Sequence, residues 1–158
     1  MNPLTLWHRG YFLIVAGFTS WVGYIGFIRP TEILRALPWP VPPLHARFIG
    51  ALYLSATVFL LLSLFARSWL QVRIIVQIAF IWTGWLLLIT VLYWASFDFS
   101  RPQPWFWVVA YLAFPVAAAW LVLASQRRTK ERAIPNIQQP WIRGFFGLFG
   151  LAFTVLAA

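Results

Sequence analysis

Residues 72–96 read VRIIVQIAFIWTGWLLLITVLYWAS, and this stretch decides the fold class. Its one charged residue, Arg73, lies at the start, and the remainder is almost entirely apolar. As a helix the stretch would extend about 37 Å, which exceeds the roughly 30 Å of bilayer hydrocarbon. The pattern therefore predicts a helix that crosses a membrane with some tilt.

Similar apolar runs lie on both sides of this stretch, at residues 11–28, 46–65 and 105–124. The first run ends in large residues where a signal peptidase site needs small ones, so we interpret it as a retained helix. We predict an all-α fold, an integral membrane helical bundle of four to five transmembrane helices. Residues 1–158 would form a single transmembrane domain.

The final apolar run, residues 142–158, leaves the number of spans open. It offers fewer apolar residues after Arg143 than the 17 to 25 that a span needs. It is interpreted as a short fifth span, as a helix lying in the interface, or as a span cut off by the end of the sequence.

Composition supports a membrane protein and argues against several other classes. Hydrophobic residues make up 62% of the chain and charged residues only 9%, against about 25% in a typical soluble domain. The chain has no cysteine, which excludes disulfides and thiolate metal sites. The net charge of +9 comes from residues between the apolar runs, so we expect it to set orientation and expect no nucleic-acid partner.

The positive residues predict that orientation. The side of the N-terminus would carry eight of them, and the opposite side would carry Arg29, Arg35, Arg47 and Arg101. This bias places the N-terminus on the cytoplasmic side of a cell membrane. We interpret that membrane as a bacterial inner membrane. The loop at residues 38–43, with four prolines that exclude a continuous helix, would lie outside the cytoplasm.

Polar residues at that outer side form the main candidate site. Glu32 is spaced to pair with Arg29 or Arg35, and a short helical turn is expected at residues 31–37 with Thr31 as its N-cap. Because a lone charge near hydrocarbon is costly, Asp98 is expected to pair with a nearby arginine. The predicted partner of Asp98 is Arg47 or Arg101. The whole outer cluster consists of Glu32, His45, Arg47, Asp98 and Arg101. The cluster would pin loops to helix ends, or alternatively bind a headgroup or ligand.

Other polar positions carry weaker expectations. His8 and His45 are weak candidates for cofactor binding, and His8 is expected to be solvated at the membrane interface. Gln77 and Thr83 are predicted to lie within the membrane, with the Gln77 amide bonded to another helix. Pro115 should kink its helix. No catalytic constellation and no metal site are readable.

Tryptophans and small residues predict how the bundle sits and packs. Interface anchoring is expected for the tryptophans at predicted span ends, which are Trp7, Trp39, Trp69, Trp94, Trp105, Trp107 and Trp141. Close helix contact is expected at small residues, which include Ala16, Ser20, Gly23, Gly50 and Ala51.

Two segments carry a resemblance. The segment PLHARFIGALYL at residues 43–54, together with Phe97-Asp98-Phe99 and the tryptophan-rich stretch after it, resembles small multi-span bacterial membrane proteins of uncharacterised function. The resemblance covers the second to fourth spans and implies no activity for any residue.

Three functions remain open from the sequence. The first is a non-catalytic accessory or structural subunit that acts through helix contacts with other membrane subunits or with itself. The second is a binder or carrier of an apolar molecule, such as a lipid, a quinone, a carotenoid or a chlorophyll-type pigment. Its predicted cleft would involve Trp82, Trp85, Phe114, Trp120 and the Pro115 kink. The third is a small transporter or membrane enzyme, which the lack of charge inside the spans disfavours.

Overall fold

The computed structural model describes residues 4–129, with side chains through Ser125, and shows an all-helical chain over that range. The four long helices are α1 (Leu6–Ile28), α2 (Pro43–Ser63), α3 (Trp69–Leu92) and α4 (Pro102–Thr129). Each is long and apolar enough to cross a membrane, so the predicted fold class is confirmed and the chain is a multi-pass membrane protein. The possible fifth span at residues 142–158 lies outside the described residues.

The four helices form two antiparallel hairpins, α1 with α2 and α3 with α4. We call the end that holds the start of α1 the Leu6 end and the opposite end the Ile28 end. A 3-10 segment, Pro30–Arg35, follows α1 at the Ile28 end, and a shorter one, Trp94–Ser96, follows α3. These segments and the proline loop between Arg35 and Pro43 therefore lie at one end of the bundle.

Local sequence explains where the helices begin. Pro43 is the first residue of α2, a position that suits proline because its missing N–H would have no partner there. Ser68 precedes α3, and Gln71 accepts a hydrogen bond from the Ser68 backbone N–H at 3.2 Å. These caps start the helices three residues before the predicted spans. The 3-10 segment likewise begins at Pro30, so the expected N-cap at Thr31 is wrong.

Glycines bring the backbones of α1 and α2 into direct contact. A Cβ atom added at Gly26 would lie 2.8 Å from the Ala46 carbonyl oxygen and 2.9 Å from the Gly50 Cα. A Cβ at Gly50 would lie 2.6 Å from the Gly26 carbonyl carbon. Such distances leave no room for a side chain, so the expected close packing at Gly23 and Gly50 is confirmed, with Gly26 as a further member.

Aromatic side chains fill the space between the two hairpins. Phe18 of α1 packs edge to face on Phe114 at 5.2 Å and lies among Tyr53, Trp107 and Tyr111. Trp69 and Trp107 are each only 2% exposed, and Trp39 packs on Trp107 at 5.0 Å. Trp69 and Trp107 belong to the interior of the protein, so their expected role as interface anchors is wrong, whereas Trp39 is only half-buried. A ring that fills a gap between helices gains packing as well as burial.

Candidate functional site

A groove of about 440 Å³ lies between α1 and α4 and opens sideways toward the surroundings of the bundle. The lining residues from α1 are Leu13, Ile14, Gly17, Phe18 and Trp21. Those from α4 are Phe106, Val109, Ala110, Ala113 and Phe114. None of these side chains is titratable, and the volume lies within the ~300–1,000 Å³ of ordinary small-molecule sites. The groove is therefore suited to an apolar ligand.

Aromatic pairs connect α1 with α4 at both ends of the groove along the helix axis. Toward the Ile28 end, Trp21 and Phe106 meet edge to face with ring centroids 5.5 Å apart. Toward the Leu6 end, Trp7 and Trp120 meet edge to face at 5.9 Å. Because each pair places large rings between the two helices, it keeps them apart over the stretch where the groove lies.

Gly17 leaves that stretch open. A Cβ atom added at Gly17 would meet no atom within 4 Å, in contrast to Gly26 and Gly50. Gly17 and Ala113 are both exposed at this level of the membrane. Small residues that face each other without touching leave the space that a ligand could occupy.

Hydroxyl groups and an indole form buried hydrogen bonds behind the groove. Thr19 of α1 and Thr57 of α2 bond through their hydroxyls at 2.8 Å. The hydroxyls of Tyr53 and Tyr111 bond to each other, which joins α2 to α4 across the two hairpins. The Trp107 indole N–H donates to the Thr90 hydroxyl at 3.1 Å. Each bond satisfies polar atoms that would otherwise be costly in hydrocarbon.

A charged group lies at the Ile28 end of α1. The Glu32 carboxylate forms ion pairs with Arg35 at 2.9 Å and with Arg29 at 3.7 Å. Its expected pairing is therefore confirmed with both arginines. The Arg29 guanidinium lies over the ring of Tyr24, 5.8 Å from its centroid. Two arginines share one carboxylate, so this group keeps one net positive charge.

The expected ion pair of Asp98 with Arg47 or Arg101 is wrong. Within residues 4–129, Asp98 forms no ion pair, and its carboxylate accepts bonds from the Ser100 hydroxyl at 2.5 Å and the Ser100 N–H at 3.1 Å. These bonds, with a smaller contribution from the Arg101 charge, lower the pKa of Asp98. Because the loop turns back on itself here, the carboxylate finds its partners two residues away.

The outer cluster is consequently not one ion-paired unit. Arg101 donates to the Leu34 carbonyl oxygen at 2.9 Å and ties α4 to the 3-10 segment. His45 and Arg47 are exposed at the start of α2, while Glu32 belongs to the arginine group already described. Among the described residues, Arg101 alone of these five links two separate segments through a side-chain hydrogen bond.

His8 is buried at the Leu6 end, so its expected solvation is wrong. It is 6% exposed and is the third residue of α1, where its Nδ1 accepts the Thr5 backbone N–H at 3.3 Å and lies 2.7 Å from the Thr5 hydroxyl. Its Nε2 lies 3.0 Å from the Ser125 hydroxyl of α4. Since Nδ1 accepts a backbone N–H, Nε2 carries the proton and donates to Ser125. Both nitrogens are engaged, which disfavours His8 as a cofactor ligand.

Thr83 and Gln77, the two polar residues predicted to lie within the membrane, make no bond to another helix among the described side chains. The Thr83 hydroxyl donates to the Ala79 carbonyl oxygen at 2.7 Å. Gln77 is half-buried, and its amide makes no hydrogen bond to the side chains described, which end at Ser125, so the expected partner on another helix is not found there. Helix α4 continues through Pro115.

The predicted aromatic cleft is also corrected. Phe114 lines the groove, but Trp82 and Trp85 are exposed on α3, and Trp120 packs against Trp7 beside the groove. The sequence reasoning missed Gly17. The sequence feature that could have identified it is its spacing, because Gly17 lies four residues from both Leu13 and Trp21. That spacing puts all three residues on one helical face.

The described residues contain no group of three or more histidine, aspartate or glutamate side chains that could hold a metal ion. Comparison of the chain with protein-family models, with curated proteins and with solved structures found no match.

Proposed function

We propose that this chain is a non-catalytic membrane protein whose α1–α4 groove binds the apolar part of a membrane molecule. The groove is the observation that carries the proposal, because it combines small residues at its centre with aromatic rings at both sides. Its lining has no group that could transfer a proton, which supports binding over catalysis.

The dimensions of the groove favour a chain or a flat ring as the ligand. The lining of α1 runs from Leu13 to Trp21, which is about 12 Å along a helix axis. A groove of this length, with a volume of about 440 Å³ and an apolar lining, suits a lipid chain, a quinone, a carotenoid or the tail of a chlorophyll-type pigment.

The exposed surface of α3 favours a second candidate, an accessory subunit that acts through helix contacts. Its buried residues form one narrow stripe, Trp69, Val72, Val76, Thr83 and Thr90. The other faces expose large apolar side chains such as Ile81 and Trp85, at 67% and 60%. In this proposal α3 contacts another membrane subunit or a second copy, and in the first proposal it contacts lipid.

The membrane and the orientation are part of the proposal. The excess of arginine and lysine on the Leu6 side supports a cytoplasmic Leu6 end in a bacterial inner membrane. The Ile28 end, with the 3-10 segment and the proline loop, then faces away from the cytoplasm.

Purification in a mild detergent, followed by native mass spectrometry and an absorption spectrum, tests the proposal. We expect wild-type protein to retain an apolar molecule and Gly17→Leu to lose it, because the leucine side chain would occupy the groove. Gly84→Leu is the matched control, since Gly84 lies on α3 and an added Cβ there also meets nothing within 4 Å. Equal retention by both variants contradicts groove binding. Partner subunits that copurify with an empty wild-type groove would favour the second candidate.

A further inference from the structure

The groove-lining face of α1 continues beyond the groove to a cationic group. Trp21 is followed on the same face by Tyr24, since residues three or four apart are neighbours on a helix. Tyr24 is 48% exposed, and the Arg29 guanidinium is stacked over its ring. Arg29 thus turns back along α1 and places its charge about one helical turn beyond the rim of the groove.

Arg29 is the more loosely paired member of the arginine group. Arg35 holds Glu32 at 2.9 Å, whereas Arg29 lies 3.7 Å from the same carboxylate. The Arg29 side chain is 52% exposed, and a guanidinium offers five N–H donors. Exposed ion pairs of this kind contribute little to stability, so an anion that replaces Glu32 as the partner of Arg29 costs the protein little free energy.

The distances match a lipid of one leaflet. Tyr24 and Leu13 are separated by about 16 Å along the α1 axis. Half of the hydrocarbon thickness of a bilayer is about 15 Å. An acyl chain whose headgroup lies at the level of Tyr24 and Arg29 therefore reaches the far limit of the groove. It would cross the exposed edge of Trp21 on the way.

We propose that the ligand of the groove is an anionic phospholipid from the leaflet at the Ile28 end. Its phosphate binds the Arg29 guanidinium above Tyr24, and one acyl chain lies in the groove beside Gly17. The inference rests on the proposed function, that the groove binds an apolar ligand, and adds the class of headgroup. Charge complementarity carries it, because the arginine group keeps one net positive charge next to the rim.

Native mass spectrometry with two lipids tests the headgroup. The protein is stripped of lipid in a neutral detergent and titrated with phosphatidylglycerol or phosphatidylcholine carrying identical acyl chains. We expect the first bound lipid to favour phosphatidylglycerol about fivefold, the factor that corresponds to about 1 kcal/mol for one arginine near an anionic headgroup. Arg29→Gln should abolish this preference, and Arg29→Lys should retain part of it.

Arg47→Gln is the matched control, because Arg47 is another exposed arginine at the same end and lies on α2, which does not line the groove. It should keep the fivefold preference. An unchanged preference in Arg29→Gln, or an equal loss in Arg47→Gln, overturns the headgroup proposal and leaves groove binding standing.

Gly17→Leu separates the two proposals. It should weaken the first binding event of both lipids, since it acts on the chain and not on the headgroup. If Gly17→Leu binds both lipids as wild type does, the groove itself is not the binding site. A wild-type dimer that becomes a monomer in Gly17→Leu would show that a second copy occupies the groove, which also overturns the lipid proposal.

Discussion

Substitution of Gly50 by alanine tests the closest contact in the bundle. The added methyl would lie 2.6 Å from the Gly26 carbonyl carbon and 3.0 Å from the Gly23 carbonyl oxygen, and it would also meet the Phe27 nitrogen. All three are backbone atoms of α1, so no side-chain rotation can relieve the overlap. We expect α1 and α2 to separate by about 1 Å, the shortfall from an ordinary carbon–carbon contact of 3.5–4.0 Å.

The expected loss of stability follows from this separation. Each atom pair in contact contributes about 0.1–0.2 kcal/mol of dispersion energy. A gap of 0.5–1 Å forfeits a quarter to a half of that energy. If the gap affects roughly 50 atom pairs, as many as one buried leucine makes, the loss is about 3 kcal/mol. This value also lies within the range for overpacked interiors, where extra methyl groups cost about 1–3 kcal/mol.

Unfolding by sodium dodecyl sulfate in mixed micelles, followed by circular dichroism, would measure the loss. Gly84→Ala is the control, because its added methyl meets nothing within 4 Å and should be neutral or gain up to about 1 kcal/mol of helix propensity. A Gly50→Ala variant as stable as Gly84→Ala would refute the backbone contact between α1 and α2.

Two further predictions concern polar contacts. Tyr53→Phe and Tyr111→Phe should each destabilise the bundle by about 0.6–1.7 kcal/mol in the same assay, because each leaves the other buried hydroxyl unpaired. The double variant should lose less than the sum, and strict additivity would contradict the bond. Arg101→Gln should raise hydrogen exchange in the 3-10 segment that Leu34 belongs to, because it removes the tie to α4. Arg47→Gln should not, and equal exchange in both variants would contradict the tie.

The sequence predicts the spans well because bilayer thickness sets a length that apolar runs must meet. Glycine packing is also predicted in part, since Gly23 and Gly50 lie within spans where small residues permit close helix contact. Helix starts were missed by three to five residues, because Thr5, Pro43 and Ser68 extend the helices with local caps. Caps obey residue-specific geometry that an apolar window ignores.

The polar predictions failed for a different physical reason. Asp98 was expected to pair with Arg47 or Arg101, and its carboxylate instead accepts hydrogen bonds from Ser100, two residues away. His8 was expected in water, and the cap at Thr5 together with Ser125 of α4 buried it. A short polar side chain is satisfied by whatever donor or acceptor is nearest in space. Helical spacing identifies that neighbour in advance where both partners lie in one helical segment, as Glu32 and Arg35 do.

Gly17 and Gly50 show that a small residue in a membrane helix has two opposite uses. At Gly50 the facing residue is also a glycine, so the backbones of α1 and α2 close on each other. At Gly17 the facing helix is held off by the Trp21–Phe106 pair, so the missing side chain leaves a groove. The flanking rings, more than the glycine, therefore decide between a contact and a binding site. Replacing Phe106 by alanine should accordingly weaken lipid binding without any change to Gly17 or Arg29, because Phe106 both lines the groove and packs against Trp21.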